Sequence, residues 1–167
     1  MAQRDFRIER TTRNQSDYSW LFYEVEKSFW GPSGTDADKA DVALGTPGQR
    51  ALFVMTLFAR LVDNGGLMSF FQSAGFYSRE VAEALTLLQF AEMQDVFAAS
   101  LALVCKEAAA PEDEKAARAM LRNLSEGEIE KLDAITERLY AGSGVEERLL
   151  PYFKAYVDAH PQDFFKD

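Results

Sequence analysis

The sequence predicts an all-α, single-domain antiparallel bundle of about seven to eight helices. Apolar residues recur three to four positions apart in one segment after another, the spacing of helices that each bury one stripe. Two capping boxes, Thr46-Pro47-Gly48-Gln49 and Ser125-Glu126-Gly127-Glu128, mark helix starts. No segment sustains the alternation of a strand, and the segments are joined by short turns. A chain of 167 residues is one domain's worth, and a globule of that size buries roughly 70% of the surface its unfolded form exposes.

Residues 1–15 read as an arm, because Arg4, Arg7, Arg10 and Arg13 surround only two apolar residues, Phe6 and Ile8. The alternation Asp5-Phe6-Arg7-Ile8-Glu9 allows a small strand or a frayed end, and fraying is the commoner fate of a terminus. The helical domain, residues 16–167, opens near Ser16 or Asp17 with a helix to Trp30, where Gly31-Pro32-Ser33-Gly34 forbids continuation. Tyr18, Leu21, Phe22, Val25 and Phe29 form one stripe of it, and Trp20, Tyr23 and Trp30 collect nearly opposite. Two apolar faces suit a helix sandwiched between layers of one core, or a self-association surface built on Trp20, Tyr23 and Trp30. Residues 31–45, with Asp36, Asp38 and Asp41 among glycines and alanines, read as a solvated loop.

Thr46 then supplies an N-cap hydroxyl, Pro47 the first helical position and Gln49 the reciprocal side chain. The helix they open carries Leu52, Met55, Leu57, Phe58, Leu61 and Val62 to about Asp63, and Asn64-Gly65-Gly66 ends it. A short apolar turn follows over residues 67–73. Gly75 breaks it, and Ser78 caps a helix over 79–88. Another helix covers about 92–108, stopped by Ala110-Pro111, and one more spans 112–124. Ser125 opens a helix to Tyr140, and Gly142-Ser143-Gly144 makes a turn. The last helix carries Tyr152, Phe153, Tyr156 and Val157 to His160-Pro161, with Pro151 kinking it or sitting in its first turn.

Charge narrows the possible partners. Asp and Glu number 27 against 18 Lys and Arg, a formal charge of -9, which disfavours direct contact with nucleic acid or anionic membrane and favours a cationic protein. The N-terminus has no apolar run behind its charges, unlike a secretory signal. The longest greasy stretch, Ala51 to Ala59, falls short of the roughly 20 residues of a membrane span. A cytoplasmic location is therefore expected. Cys105 is the one cysteine, so an intramolecular disulfide is excluded, and its apolar surroundings suit a buried, unreactive thiol.

Catalytic chemistry finds little to stand on. His160 is the single histidine, which removes His-pair metal sites and Cys/His zinc arrangements, and its place at a helix end suits a capping role. Asn64-Gly65-Gly66-Leu67 lacks the preceding strand and the following Lys-Ser/Thr of a phosphate loop. No nucleophile elbow, kinase set or HExxH occurs. The expectation is a non-enzymatic protein with no catalytic residues, no cofactor and no metal.

One positive feature remains. Glu126, Glu130, Asp133 and Glu137 are spaced four, three and four, which sets them in one row, with about 5 to 6 Å of rise between neighbours. Ile129, Leu132, Ile135 and Leu139 occupy the opposite flank, while Lys131 and Arg138 point elsewhere. Like charges at these spacings cost a few tenths of a kcal/mol per pair, and such a stripe loosely echoes the regular charges of a nucleic-acid backbone. The plain alternative is a solvated face with acids favoured by the helix N-terminus, although Glu137 lies at the end where a cation would be preferred.

Asn64-Gly65-Gly66-Leu67-Met68-Ser69-Phe70-Phe71-Gln72-Ser73-Ala74-Gly75 resembles the Asn-Gly-Gly-aromatic segment of a bacterial family of helical proteins called after a DNA-mimic protein. The resemblance spans residues 46–167. It continues through the helix at Glu80 to Leu88, the stretch Leu132 to Tyr140, and Tyr156-Val157-Asp158-Ala159-His160-Pro161-Gln162-Asp163-Phe164, which is similar to the family's closing signature. Where this chain has Ser69, Ser73 and Phe90, the family usually carries glutamine, asparagine and, nearby, glycine. The resemblance implies an acidic all-helical homodimer, whose named relative is similar to DNA in charge layout and occupies a transcription factor's DNA-binding surface. The family motif here is Asn64, Gly65, Gly66, Phe70, Phe71 and Gly75. Its residues also have a purely structural reading, in which the glycines permit a tight approach and the phenylalanines pack.

Three functions compete. The first is a module that presents its acid row to a basic protein such as a DNA-binding regulator. A close relative of that idea is an immunity protein that blocks a basic nuclease toxin. The third is a small-ligand or enzymatic domain with a pocket near Asn64, Ser69, Gln72 and Ser73.

Overall fold

The computed structural model describes residues 7–9, 20–21, 24–25, 29, 39–106, 108–140 and 142–166. The helices are α1 (Lys39–Val42), α2 (Pro47–Ala74), α3 (Ser78–Leu87), α4 (Ala91–Cys105), α5 (Glu114–Arg122), α6 (Glu126–Leu139) and α7 (Val145–Ala159). Five of them, α2, α3, α4, α6 and α7, have at least ten residues. The all-α class holds, but among the described residues the expectation of seven to eight helices in the bundle is not met, since α1 and α5 are short, with four and nine residues. Within α2 the dihedrals of Gly65 and Gly66 are non-helical, so two helical stretches meet there across a kink, and the expected end of the first at Asn64-Gly65-Gly66, with Gly66 left-handed at φ +71°, is borne out.

Helix α2 is the axis of the core and packs against α3, α5, α6 and α7. Leu52, Met55, Phe58, Val62, Leu67 and Phe70 are all fully buried. Phe58, Phe70 and Phe97 meet edge-to-face with centroids 5.0 to 5.9 Å apart, the arrangement aromatic quadrupoles prefer. Within residues 20–29 the described Leu21, Val25 and Phe29 of the expected stripe are helical and buried, while Tyr18 and Phe22 lie outside the described residues. The segment Pro47–Leu87 contains a window long and apolar enough to cross a membrane by length and composition, yet 61% of that window is buried inside the fold. Its apolarity is that of a core helix.

Several boundaries differ from expectation for local reasons. The expected loop at 31–45 contains the turn α1, whose Val42 is buried; residues 31–38 lie outside the described set. Ser78 does not cap α3 as an acceptor: its hydroxyl donates to the Gly75 carbonyl at 2.6 Å. Asp113 opens α5 by accepting from the Ala116 amide at 2.7 Å. Pro151 sits inside α7 rather than in its first turn.

The arm is tied to the fold at Ile8 and Glu9. Ile8–Glu9 forms β1 and pairs in parallel with β2 (Phe165–Lys166), with the Ile8 amide donating to the Phe164 carbonyl at 2.8 Å. At Ile8 and Glu9 the small-strand option, not fraying, is realised; the remainder of residues 1–15, apart from Arg7, lies outside the described set.

Candidate protein-binding face

Helix α6 is fixed at its start by the capping box. The Ser125 amide and hydroxyl both donate to Oε2 of Glu128, at 2.7 and 3.0 Å. Lys106 Nζ lies 3.0 Å from the other carboxylate oxygen, Oε1. The bond from the Ser125 amide, followed by those from Lys106 and the Ser125 hydroxyl, pulls the Glu128 carboxyl down to about 2. This acid is engaged in its own neighbourhood.

The four acids of the row are not. Glu126, Glu130, Asp133 and Glu137 are all exposed, and among the described residues no cation forms an ion pair with any of them. Behind them Leu132 and Leu139 are fully buried, with Ile129 and Ile135 half-buried against the core. The apolar flank and the acidic flank therefore take opposite sides of one helix. Lys131 and Arg138 are exposed on the same helix and pair with neither flank.

Helix α6 packs on α4 and on α2, where it meets the glycine kink. Gly66 has φ +71° and ψ -175°, a region essentially closed to side chains. A Cβ there would lie 3.0 Å from Thr136 Cγ2. The Leu67 amide donates to the Thr136 hydroxyl at 3.2 Å, and that hydroxyl donates onward to the Leu132 carbonyl at 3.0 Å. Just before the kink, the Val62 carbonyl accepts from the Tyr140 hydroxyl. Asp63 accepts from the amides of Val145 and Glu146 at 2.8 and 3.2 Å, capping α7 from another helix. Burial first, then the nearby Asp63 carboxylate, raises the Tyr140 hydroxyl above its ordinary value.

The family motif thus serves three different purposes. Gly65 and Gly66 bend the chain against α6, Phe70 and Phe71 fill the core, and Gly75 is buried at the following turn. Asn64 is exposed. Sequence reasoning missed Asp63 and Thr136. A polar, β-branched residue on the apolar flank of α6 was the available signal for Thr136, and Asp63 gave none, since its partners lie more than eighty positions away.

The closing signature clasps the start of α2. Asp163 Oδ2 accepts from the Gly48 amide and from the Tyr156 hydroxyl, each at 2.9 Å, and its carbonyl accepts from the Thr46 hydroxyl at 2.9 Å. Burial, reinforced by Asp163, raises the Tyr156 hydroxyl far above its ordinary value. His160 ends α7, its ring stacked on Tyr156 at 4.3 Å and its Nδ1 3.2 Å from the Tyr156 carbonyl.

The remaining candidates separate. Gln72 and Ser73 are exposed and Ser69 is half-buried; the Gln72 carbonyl accepts from Arg118 Nε at 3.3 Å. Neither these side chains nor Asn64 line the two open clefts between the start of α2 and helix α3. Trp20 is half-buried against the core, 6.3 Å from Phe165, while Tyr23 and Trp30 lie outside the described residues. Cys105 is buried, and desolvation raises its thiol. Among the described residues no group of three His, Cys, Asp or Glu side chains is placed to hold a metal ion.

A family model described as DMP19-like protein matches residues 44–160. No curated protein and no solved structure matches the chain.

Proposed function

Since the chain belongs to the DMP19-like protein family, we propose that it is a non-enzymatic, DNA-mimicking binding module that offers the acid row of α6 to a basic protein. One observation carries this reading: four carboxylates stand in line on the outer side of a helix whose other side is locked into the core, and no cation among the described residues pairs with them. Fixed, unneutralised charge steers a basic partner and selects against acidic ones. A DNA-binding regulator fits, because its basic surface already accepts a line of anions. The proposal places the protein in the cytoplasm as a homodimer that touches neither nucleic acid nor membrane.

Capture of partners from a lysate at low and high salt tests it. Basic proteins retained at low salt, released at high salt and lost with Glu130→Lys plus Asp133→Lys are the expected result. Partners that are not basic, or retention that ignores both salt and the double substitution, would overturn it. A captured nuclease toxin in place of a regulator would assign the same face to immunity.

A further inference from the structure

Helix α4 is apolar on two sides. No charged residue stands between Asp95 and Lys106, in a chain that is 27% charged. Met93, Phe97 and Val104 are buried, in a helix that packs on α3, α5 and α6. Successive helical residues turn by 100°, so Ala91, Asp95, Ala98, Ala99 and Ala102 fall within about 100° of arc on the opposite side. All five are exposed, and the flanking Leu101 and Leu103 are only half-buried. A surface helix ordinarily turns charged side chains to solvent. Helices α5 and α6 do so, with Lys115, Arg118 and Arg122 exposed on one and the four row acids on the other. Alanine by itself suits any exposed helix, but about three turns without a charge, edged by two leucines, make a face that lacks its cover.

The charges at the two ends of this face identify the cover. Asp95 stands near the start of α4, and among the described residues no cation forms an ion pair with it. Glu92, at the rim, is taken by Arg148. Lys106 follows the last residue of α4 and pairs with Glu128 at 3.0 Å, which leaves donors of its ammonium group for a second acid. An antiparallel second α4 brings acid to cation at both ends at once. With a two-fold axis midway between Ser100 and Leu101, Asp95 lies across from Lys106 of the other copy, and Ala99 across from Ala102. Each relation then occurs twice, because its two members are equally far on either side of the axis. Opposed helix dipoles favour the arrangement, and alanines let the helix axes approach to about 8 Å.

We infer that the outer face of α4 binds a second copy of this chain, antiparallel about a two-fold axis between Ser100 and Leu101. Trp20, by contrast, is half-buried against its own core. None of the four row acids belongs to the α4 face, so pairing through it does not consume them. The inference deepens the proposed function by giving the homodimer its surface, and it rests on that part of the reading.

Sedimentation velocity of the intact protein over a concentration series is the test, and a reversible dimer is the expected result. Ala99→Glu and Ala102→Glu, at exposed positions, should each weaken the dimer by about tenfold or more while leaving the helical circular dichroism unchanged. Asp95→Lys should weaken it too, by setting like charges opposite each other, and Asp95→Lys plus Lys106→Glu should restore it. Glu130→Lys plus Asp133→Lys, off this face, should leave it unchanged. If the Asp95→Lys plus Lys106→Glu variant does not fold, the two glutamate substitutions and Asp95→Lys alone decide the question. A dimer indifferent to both glutamate substitutions, or a folded charge-swapped variant that stays monomeric, would overturn this interface and leave the homodimer standing. A monomer at every concentration would overturn the two together.

Discussion

Gly66 and Thr136 meet where the kink of α2 touches α6, so closely that a Cβ on the glycine would lie 3.0 Å from the threonine methyl group. The Thr136 hydroxyl meanwhile accepts the Leu67 amide at 3.2 Å. The bend in the central helix and the seating of the acid-bearing helix are therefore one structural event. Thr136 lies between Asp133 and Glu137 in sequence but faces inward, at 8% exposure, while those two carboxylates face out.

Substitution at this contact should be severe for its size. Gly66→Ala places a side chain in a backbone region that costs about 1–3 kcal/mol, and the near-contact with Thr136 adds to it. Thr136→Val keeps the shape but strands the buried Leu67 amide, at a cost of about 1–3 kcal/mol. Urea denaturation of both variants measures this. A loss under 0.5 kcal/mol in each would mean that the kink is not held by this pair.

The capping box gives a pH dependence of definite sign. The folded Glu128 carboxyl is held at about 2, below the ordinary 4.5, so its stabilising contribution is fully present above the ordinary value. It fades as pH falls from about 4.5 toward about 2. A side-chain NMR titration should find the Glu128 midpoint well below the ordinary value of 4.5, and Lys106→Ala should move it upward. An ordinary midpoint in the native protein would contradict the bonding seen at Ser125.

Glu137 offers a test of whether the acid row is a structural asset. It stands near the C-terminal end of α6, four residues after Asp133, so it meets both a like charge and the unfavourable end of the helix dipole. Glu137→Gln should raise stability by about 0.3–1 kcal/mol, while weakening capture of a basic partner. Equilibrium denaturation beside the lysate capture reads both changes. A variant that is less stable and binds as before would make the acid a support of the fold and not part of an interface.

Much of the architecture was legible locally. Both capping boxes form, Leu21, Val25 and Phe29 of the expected first-helix stripe are buried, and α6 turns Leu132 and Leu139 in and its acids out, because each of these follows from helical spacing and short-range bonding. The break at Asn64-Gly65-Gly66 was legible for the same reason, with Gly66 taking the left-handed φ of +71°. What packs against that break was not local: α6 and α7 supply the partners for the groups it exposes.

By itself the sequence determined the helical class, the surplus of negative charge, the starts of α2 and α6 and the alignment of four acids, all of which depend on residues within a few turns of one another. Only the tertiary structure decided that Asp63 caps α7, that Asp163 clasps the start of α2 and that Thr136 receives the kink. Those relationships join residues distant in sequence. Their energies come from burying amides and charges together, which no local pattern of side chains can encode.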